Sequence, residues 1–160
     1  MSPRKPDRDP PNAYDKALGL LARREHSARE LKSKLARRGV DADESAQALE
    51  KLKEKGYQDD ARFGEMLVRT RIEGGYGPRW IVAELKTHGI SEADARALIE
   101  AAEPDWRERV REQLRRRYGT KPPANLAERA KRAAFLLRRG FDAAIVRGAT
   151  GGIDASDDSD

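Results

Sequence analysis

The sequence predicts an all-α protein made of three tandem three-helix repeats forming an elongated, curved array. Three observations predict it. Ala, Leu, Glu, Lys and Arg supply 85 of the 160 residues, whereas Val, Ile and Thr supply 15; strong helix formers dominate and β-branched residues are scarce. A stop made of a basic or polar pair, a glycine and an apolar residue recurs at Gly39-Val40, Gly89-Ile90 and Gly140-Phe141, 50 and 51 residues apart. Upstream of each stop, the apolar residues fall on corresponding positions of a helical period.

The elements follow in order. Tyr14, Ala17, Leu18 and Leu21 keep the i, i+3, i+4, i+7 spacing of an amphipathic first helix. Ser27 with Glu30 reads as a capping box that opens the second, which Arg37-Arg38-Gly39 closes, and Asp41 with Glu44 opens the third. Glycine past a helix end takes a left-handed conformation without a Cβ clash, and cations in the last turn suit the negative end of the helix dipole. In the second repeat Phe63, Met66, Leu67 and Thr70 hold the first-helix positions, and Gly77-Pro78 opens the next helix, where the missing proline N–H costs little. In the third repeat these positions pass to Val110, Gln113, Leu114 and Arg117. Asp105 with Glu108 and Asn125 with Glu128 mark two more starts, and residues 119–124, with Pro122-Pro123, form a looser connector. The repeats are placed at 13–56, 57–103 and 104–150. A disordered arm is expected over 1–12 and an acidic disordered tail over 151–160.

Composition narrows the chemistry. The chain has no cysteine, which excludes disulfides, thiol catalysis and cysteine-based metal sites. No apolar run approaches the roughly 18 to 20 residues of a membrane helix, and the first residues do not read as a signal peptide; a cytoplasmic protein is expected. The net charge of +5 is uneven: +3 over 13–56, −3 over 57–104 and +8 over 105–150, with four aspartates and no base from Gly151 onward. A basic C-terminal third suits an anionic partner, although basic faces are also ordinary solvated surface.

Catalytic signals are thin. His26 and His88 are the only imidazoles, each at a helix edge, where surface or capping roles explain them better than metal or nucleophilic ones. Asp59-Asp60 suits the positive end of a helix dipole. Gly74-Gly75-Tyr76-Gly77-Pro78 lacks the Lys-Ser/Thr ending of a phosphate loop and reads as a tight turn between helices. Trp80 and Trp106 are able to stack bases, but at helical spacing they read first as packing residues. A helix-turn-helix mode on duplex DNA is disfavoured, because the would-be recognition helices carry Asp43, Glu44 and Glu50, and Glu92, Asp94 and Glu100, which repel phosphate. No catalytic, cofactor or metal residue is expected, and no small-molecule substrate.

The candidate partner or DNA contacts are Arg29, Lys32, Arg37 and Arg38 on the second helix, and Arg115, Arg116, Arg117, Arg129, Arg132, Arg138 and Arg139 in the third repeat. Arg29, Ser33 and Arg37 lie opposite Leu31 and Leu35, so that stripe faces solvent.

Five stretches carry a resemblance: ARREHSARELKSKLARRGV (22–40), YQDDARFGEMLVRTR (57–71), GYGPRWIVAELKTHGI (75–90), RRRYG (115–119) and RAAFLLRRGF (132–141). In order and spacing they resemble the RecX family, regulatory proteins that bind and restrain the RecA recombinase in DNA recombination, repair and the SOS response. The resemblance implies three tandem three-helix repeats and a non-enzymatic protein lying along the groove of the RecA filament on DNA. There it would lower ATP hydrolysis, strand exchange and RecA-stimulated repressor cleavage. Arg23, Arg24, Arg69 and Arg71 fall on motif positions and read either as contacts or as structural ion-pair partners. Direct contact with single-stranded DNA is open. The rival reading is a helical module that binds nucleic acid without RecA, through the same basic clusters.

Overall fold

The computed structural model describes residues 12–151. Among them lie nine α-helices and no strand: α1 (Ala13–Arg23), α2 (Ala28–Arg37), α3 (Ala42–Glu54), α4 (Asp60–Glu73), α5 (Pro78–Thr87), α6 (Glu92–Ala101), α7 (Trp106–Tyr118), α8 (Leu126–Arg138) and α9 (Ala143–Thr150). The all-α class is as expected. Most helix starts rest on side-chain oxygens that accept otherwise unpaired backbone N–H groups, the exceptions including α5 and α9. Ser27 accepts from the Glu30 N–H at 3.0 Å, Asp105 from Glu108 at 3.1 Å and Asn125 from Glu128 at 2.9 Å. Asp41 caps α3 differently, through the Asp43 N–H at 3.2 Å, and the Glu44 carboxylate accepts from the Ala13 N–H at 3.3 Å, pinning α1 to α3. Two caps escaped the capping-box pattern. Ser91 accepts from Asp94, and Asn12, expected to belong to the N-terminal arm, accepts from Asp15 at 2.9 Å and caps α1. The rest of that arm, and the acidic tail beyond Gly151, lie outside the described residues. Gly39, Gly89 and Gly140 take φ of 77°, 79° and 90°, as helix stops require.

The chain divides into two compact parts, Met1–Phe63 and Gly64–Asp160. In the first, Ala17, Leu35 and Leu52 come one from each of α1, α2 and α3, with Tyr14, Leu18, Leu21, Val40 and Leu49 packed around them. Burying a leucine such as Leu35 contributes about 2 kcal/mol. Polar bonds join the start of α2 to the segment before α4: the Ala28 N–H donates to Asp60 at 3.0 Å, and the Gln58 amide to Asp60 at 2.9 Å and to the His26 carbonyl at 3.3 Å.

In the second part Leu67, Val68, Ile72, Ile81, Val82, Leu85, Ala95 and Ile99 bury the inner faces of α4, α5 and α6. Val110, Phe135, Leu136, Phe141 and Val146 form a further core from α7, α8 and α9, with Trp106 and Tyr118 edge-on to Phe141 and Phe135. The two sets of helices meet main chain to main chain. The Gly77 N–H donates to the Arg139 carbonyl at 2.8 Å and the Arg79 N–H to the Gly140 carbonyl at 3.0 Å. No helix among the described residues is long and apolar enough to cross a membrane.

Candidate partner-binding surfaces

On α2 the 3.6-residue period separates two faces. Leu31 and Leu35 are buried, and Arg29, Lys32, Ser33 and Arg37 are exposed together with the cap residue Arg38. Among the described residues no carboxylate pairs with Lys32, Arg37 or Arg38. Arg37 and Arg38 stand at the negative end of α2, where their charge is favoured without a partner. Neighbouring cations are already committed. Glu30 pairs with Arg24 and, at 3.3 Å, with Lys34. Burial pushes the Glu30 carboxyl up, but the bonds of Arg24 and Lys34 and the charge of Arg24 outweigh it and hold the group below its ordinary value.

His26 is buried at 2% exposure, not at the surface. Its Nδ1 lies 3.0 Å from the Arg24 carbonyl and its Nε2 3.1 Å from the Lys34 ammonium. A carbonyl only accepts and an ammonium only donates, so the ring is neutral with the proton on Nδ1. Burial pushes its pKa down. The ring lone pair is thus used internally. The adjacent Asp59-Asp60 is likewise committed: Asp59 accepts from the N–H groups of Ala61 and Arg62 at the head of α4, and Asp60 from Ala28 and Gln58.

In the third repeat the predicted cations divide by environment. Arg115 and Arg138 are exposed, with no carboxylate partner among the described residues. Arg116 is exposed but bonds Glu112 at 2.7 Å. Arg117 stacks on Phe135 at 4.4 Å and Arg139 on Tyr76 at 4.7 Å, both within cation–π range. Arg129, half-buried, donates to the Gly151 carbonyl at 3.2 Å. Arg132 is a correction. It is 7% exposed, donates to Glu128 at 2.7 Å and to the Lys121 carbonyl at 3.0 Å, and lies over Tyr118. Its long stem is buried and its head ties the proline connector to α8, so it is not the exposed cation expected. Glu128 is held below its ordinary value by the Ala124 N–H first and Arg132 second.

The glycine-rich segment is a turn, and its donors are all in use. The N–H groups of Gly74, Gly75, Tyr76 and Gly77 go to the carbonyls of Thr70, Ile72, Arg71 and Arg139, which leaves no cradle for a phosphate. Among the described residues no cluster of histidine and carboxylate side chains is arranged to hold a metal. Asp43, Glu44, Glu50, Glu92, Asp94 and Glu100 are all exposed.

Comparison with known proteins adds to this geometry. Three family models, described as the first, second and third three-helix domains of RecX, match residues 13–52, 59–99 and 104–150. The chain belongs to the RecX family. A regulatory protein RecX of Stenotrophomonas maltophilia (strain R551-3) is 50% identical over 135 residues, covering 84% of this chain and 83% of the relative. A regulatory protein RecX of Xanthomonas axonopodis pv. citri (strain 306) is 47% identical over the same length and the same shares. The crystal structure of RecX from Lactobacillus salivarius shares the fold, with a TM-score of 0.68 and 23% identity over 87% of this chain and 92% of that one. A second crystal structure, of a regulatory protein RecX, has a TM-score of 0.72 and 24% identity over 87% and 70%.

Within this RecX chain two of the four motif arginines are structural ion-pair partners. Arg71 is bidentate to Glu84 at 2.7 and 2.6 Å, and Arg24 pairs with Glu30. Arg23 and Arg69 are exposed. Two features were not read from the sequence. One is the interlock of Gly77 with Gly140. The other is Trp80, expected to pack inside, which is 43% exposed and stacked on Tyr76; its only sequence signal is the four-residue spacing of the two aromatics. Trp106 does pack, edge-on to Phe141 at 6.1 Å.

Proposed function

We propose that this protein is a non-enzymatic, cytoplasmic regulator that binds along the groove of the RecA filament on DNA and lowers RecA's ATP hydrolysis, strand exchange and stimulation of repressor cleavage. Membership of the RecX family over all three helical domains carries the reading. The surface chemistry supports it. Arg37, Arg38, Arg115 and Arg138 present charge that no internal carboxylate neutralises among the described residues, so an anionic protein or phosphate surface supplies the missing partner. The repeats, taken as 13–56, 57–103 and 104–150, act as linked contact modules. Linked contacts reinforce one another, so none need be strong alone. Binding, not chemistry, is the activity, and no cofactor or small-molecule substrate enters it.

The test is co-sedimentation with DNA alone and with RecA-coated DNA in matched salt, alongside RecA ATPase. The expected outcome is preferential retention by the coated DNA and a falling ATPase. Equal retention by both, with ATPase unchanged, overturns the proposal and leaves a nucleic-acid-binding module that acts without RecA.

A further inference from the structure

We propose that the solvent-facing side of Trp80 is a stacking site for a base of single-stranded nucleic acid, with Arg79, Arg138 and Arg139 supplying charge for the adjoining phosphates. The site goes beyond the filament reading, with which it shares Arg138.

The indole is held from two directions. Tyr76 stacks on it with ring centroids 4.7 Å apart and planes inclined by 29°. The Trp80 main chain abuts Gly140 so closely that a Cβ there would lie 2.4 Å from the Trp80 nitrogen. Glu84, four residues further along α5, is held in place by the bidentate Arg71. Even so, 43% of Trp80 is open to solvent. An aromatic ring stacked on its neighbour is thus left partly uncovered. Burying a tryptophan is among the most favourable steps available to a fold, so a pinned but uncovered ring leaves its hydrophobic contribution to a ligand.

The surrounding charge selects the ligand. Two hydrogen bonds, from the Gly77 N–H to the Arg139 carbonyl and from the Arg79 N–H to the Gly140 carbonyl, bring the segments 76–80 and 138–140 together. Arg79 is 71% exposed, with one loose contact to Asp142 at 3.6 Å. Arg138 is exposed, and the Arg139 guanidinium lies 4.7 Å from the Tyr76 ring. Glu84, the nearby carboxylate, is occupied by Arg71. A partly uncovered indole on segments that also carry arginines suits a flat π face joined to phosphate. Bases of a duplex are already stacked on their neighbours, so the ligand is single-stranded.

The experiment compares a short oligothymidylate with an abasic oligomer of the same length and charge, at one ionic strength. Trp80 emission is followed in a Trp106→Phe background, and affinity is also measured on the unaltered protein. Expected are quenching by oligothymidylate and affinity roughly tenfold above that for the abasic chain, the size of one stacked base. Trp80→Ala removes that difference and Trp80→Phe keeps most of it. Equal affinity of the unaltered protein for the two oligomers overturns the proposal without any variant. Unchanged oligothymidylate binding by Trp80→Ala also overturns it; if that variant has lost RecA inhibition as well, the ring contacts protein. Failure of the unaltered chain to lower RecA ATPase would count against the filament reading alone.

Discussion

A Cβ on Gly77 would lie 2.5 Å from the carbonyl carbon and oxygen of Gly140, and a Cβ on Gly140 would lie 2.4 Å from the Trp80 nitrogen. The neighbours are backbone, so neither site relaxes by a side-chain rotation. Gly140 also has a φ of 90°, which an L side chain adopts only with strain. Gly77→Ala should destabilise the protein by about 1–3 kcal/mol, the range for overpacking, and Gly140→Ala by more. A Cβ on Gly19, within α1, would meet nothing within 4 Å, so Gly19→Ala should stabilise by roughly 0.5–1 kcal/mol. Urea unfolding of the three variants checks this; a Gly140→Ala midpoint equal to the unaltered protein's would refute the interlock.

Arg132 and Arg138 sit six residues apart in one helix and should respond oppositely to truncation. Arg132→Ala removes the bonds to Glu128 and to the Lys121 carbonyl together with the guanidinium stacked over Tyr118, and should cost about 2–3 kcal/mol. Arg138 is exposed and unpaired among the described residues; Arg138→Ala should leave stability within about 0.5 kcal/mol. In filament co-sedimentation only Arg138→Ala should show a binding defect at unchanged folded fraction. Equal unfolding midpoints for the two variants would mean that Arg132 is not a core residue.

The helices were legible because each start and stop is a local event. Ser27, Asp105 and Asn125 need only the next turn's N–H groups, and Gly39, Gly89 and Gly140 only their own backbone freedom. The charged stripe of α2 was legible for the same reason, since the period alone sets Arg29 and Arg37 against Leu31 and Leu35. In the third repeat the pattern gave less. Arg132 lies in a run with Arg129 and Lys131, and nothing local shows that its head turns to a connector 11 residues away. Trp80 and Gly140 meet across 60 positions, so whether Trp80 is covered depends on packing that no short window contains. His26 was not read as buried because its surroundings include Gln58, 32 positions away, which bonds its carbonyl.

The buried His26 makes stability depend on pH. In the unfolded chain the imidazole titrates near its ordinary value of 6.5, and in the folded protein it titrates lower, chiefly through burial. Between the two values the unfolded state binds more protons, so stability rises with pH across that window. Conversely, stability falls as pH drops below 6.5, until the folded-state imidazole is itself protonated. Glu30, also lowered, adds a separate loss at greater acidity, as pH falls from its ordinary 4.5 through its folded value. Urea unfolding between about pH 5 and pH 8 isolates the histidine. His26→Gln should flatten the dependence there; a variant that keeps the slope would place its origin elsewhere.

Arg37 and Arg38 test whether exposed charge on α2 does more than keep the chain in solution. Both are exposed and lack a carboxylate among the described residues, so Arg37→Gln with Arg38→Gln breaks no internal ion pair there. The expected cost in stability is at most about 1 kcal/mol, from the favourable position of two cations at the end of α2. If they meet an anionic face of the RecA–DNA filament, the double variant should bind roughly tenfold more weakly at low salt, about 1.4 kcal/mol. The gap should narrow as ionic strength rises, because exposed charges are screened over about 10 Å at 0.1 M salt and less beyond. Co-sedimentation across a salt series reads both quantities. Affinity equal to the unaltered protein's at low salt would assign these arginines to solubility. A deficit that persisted unchanged at high salt would show that their contribution is packing, not charge.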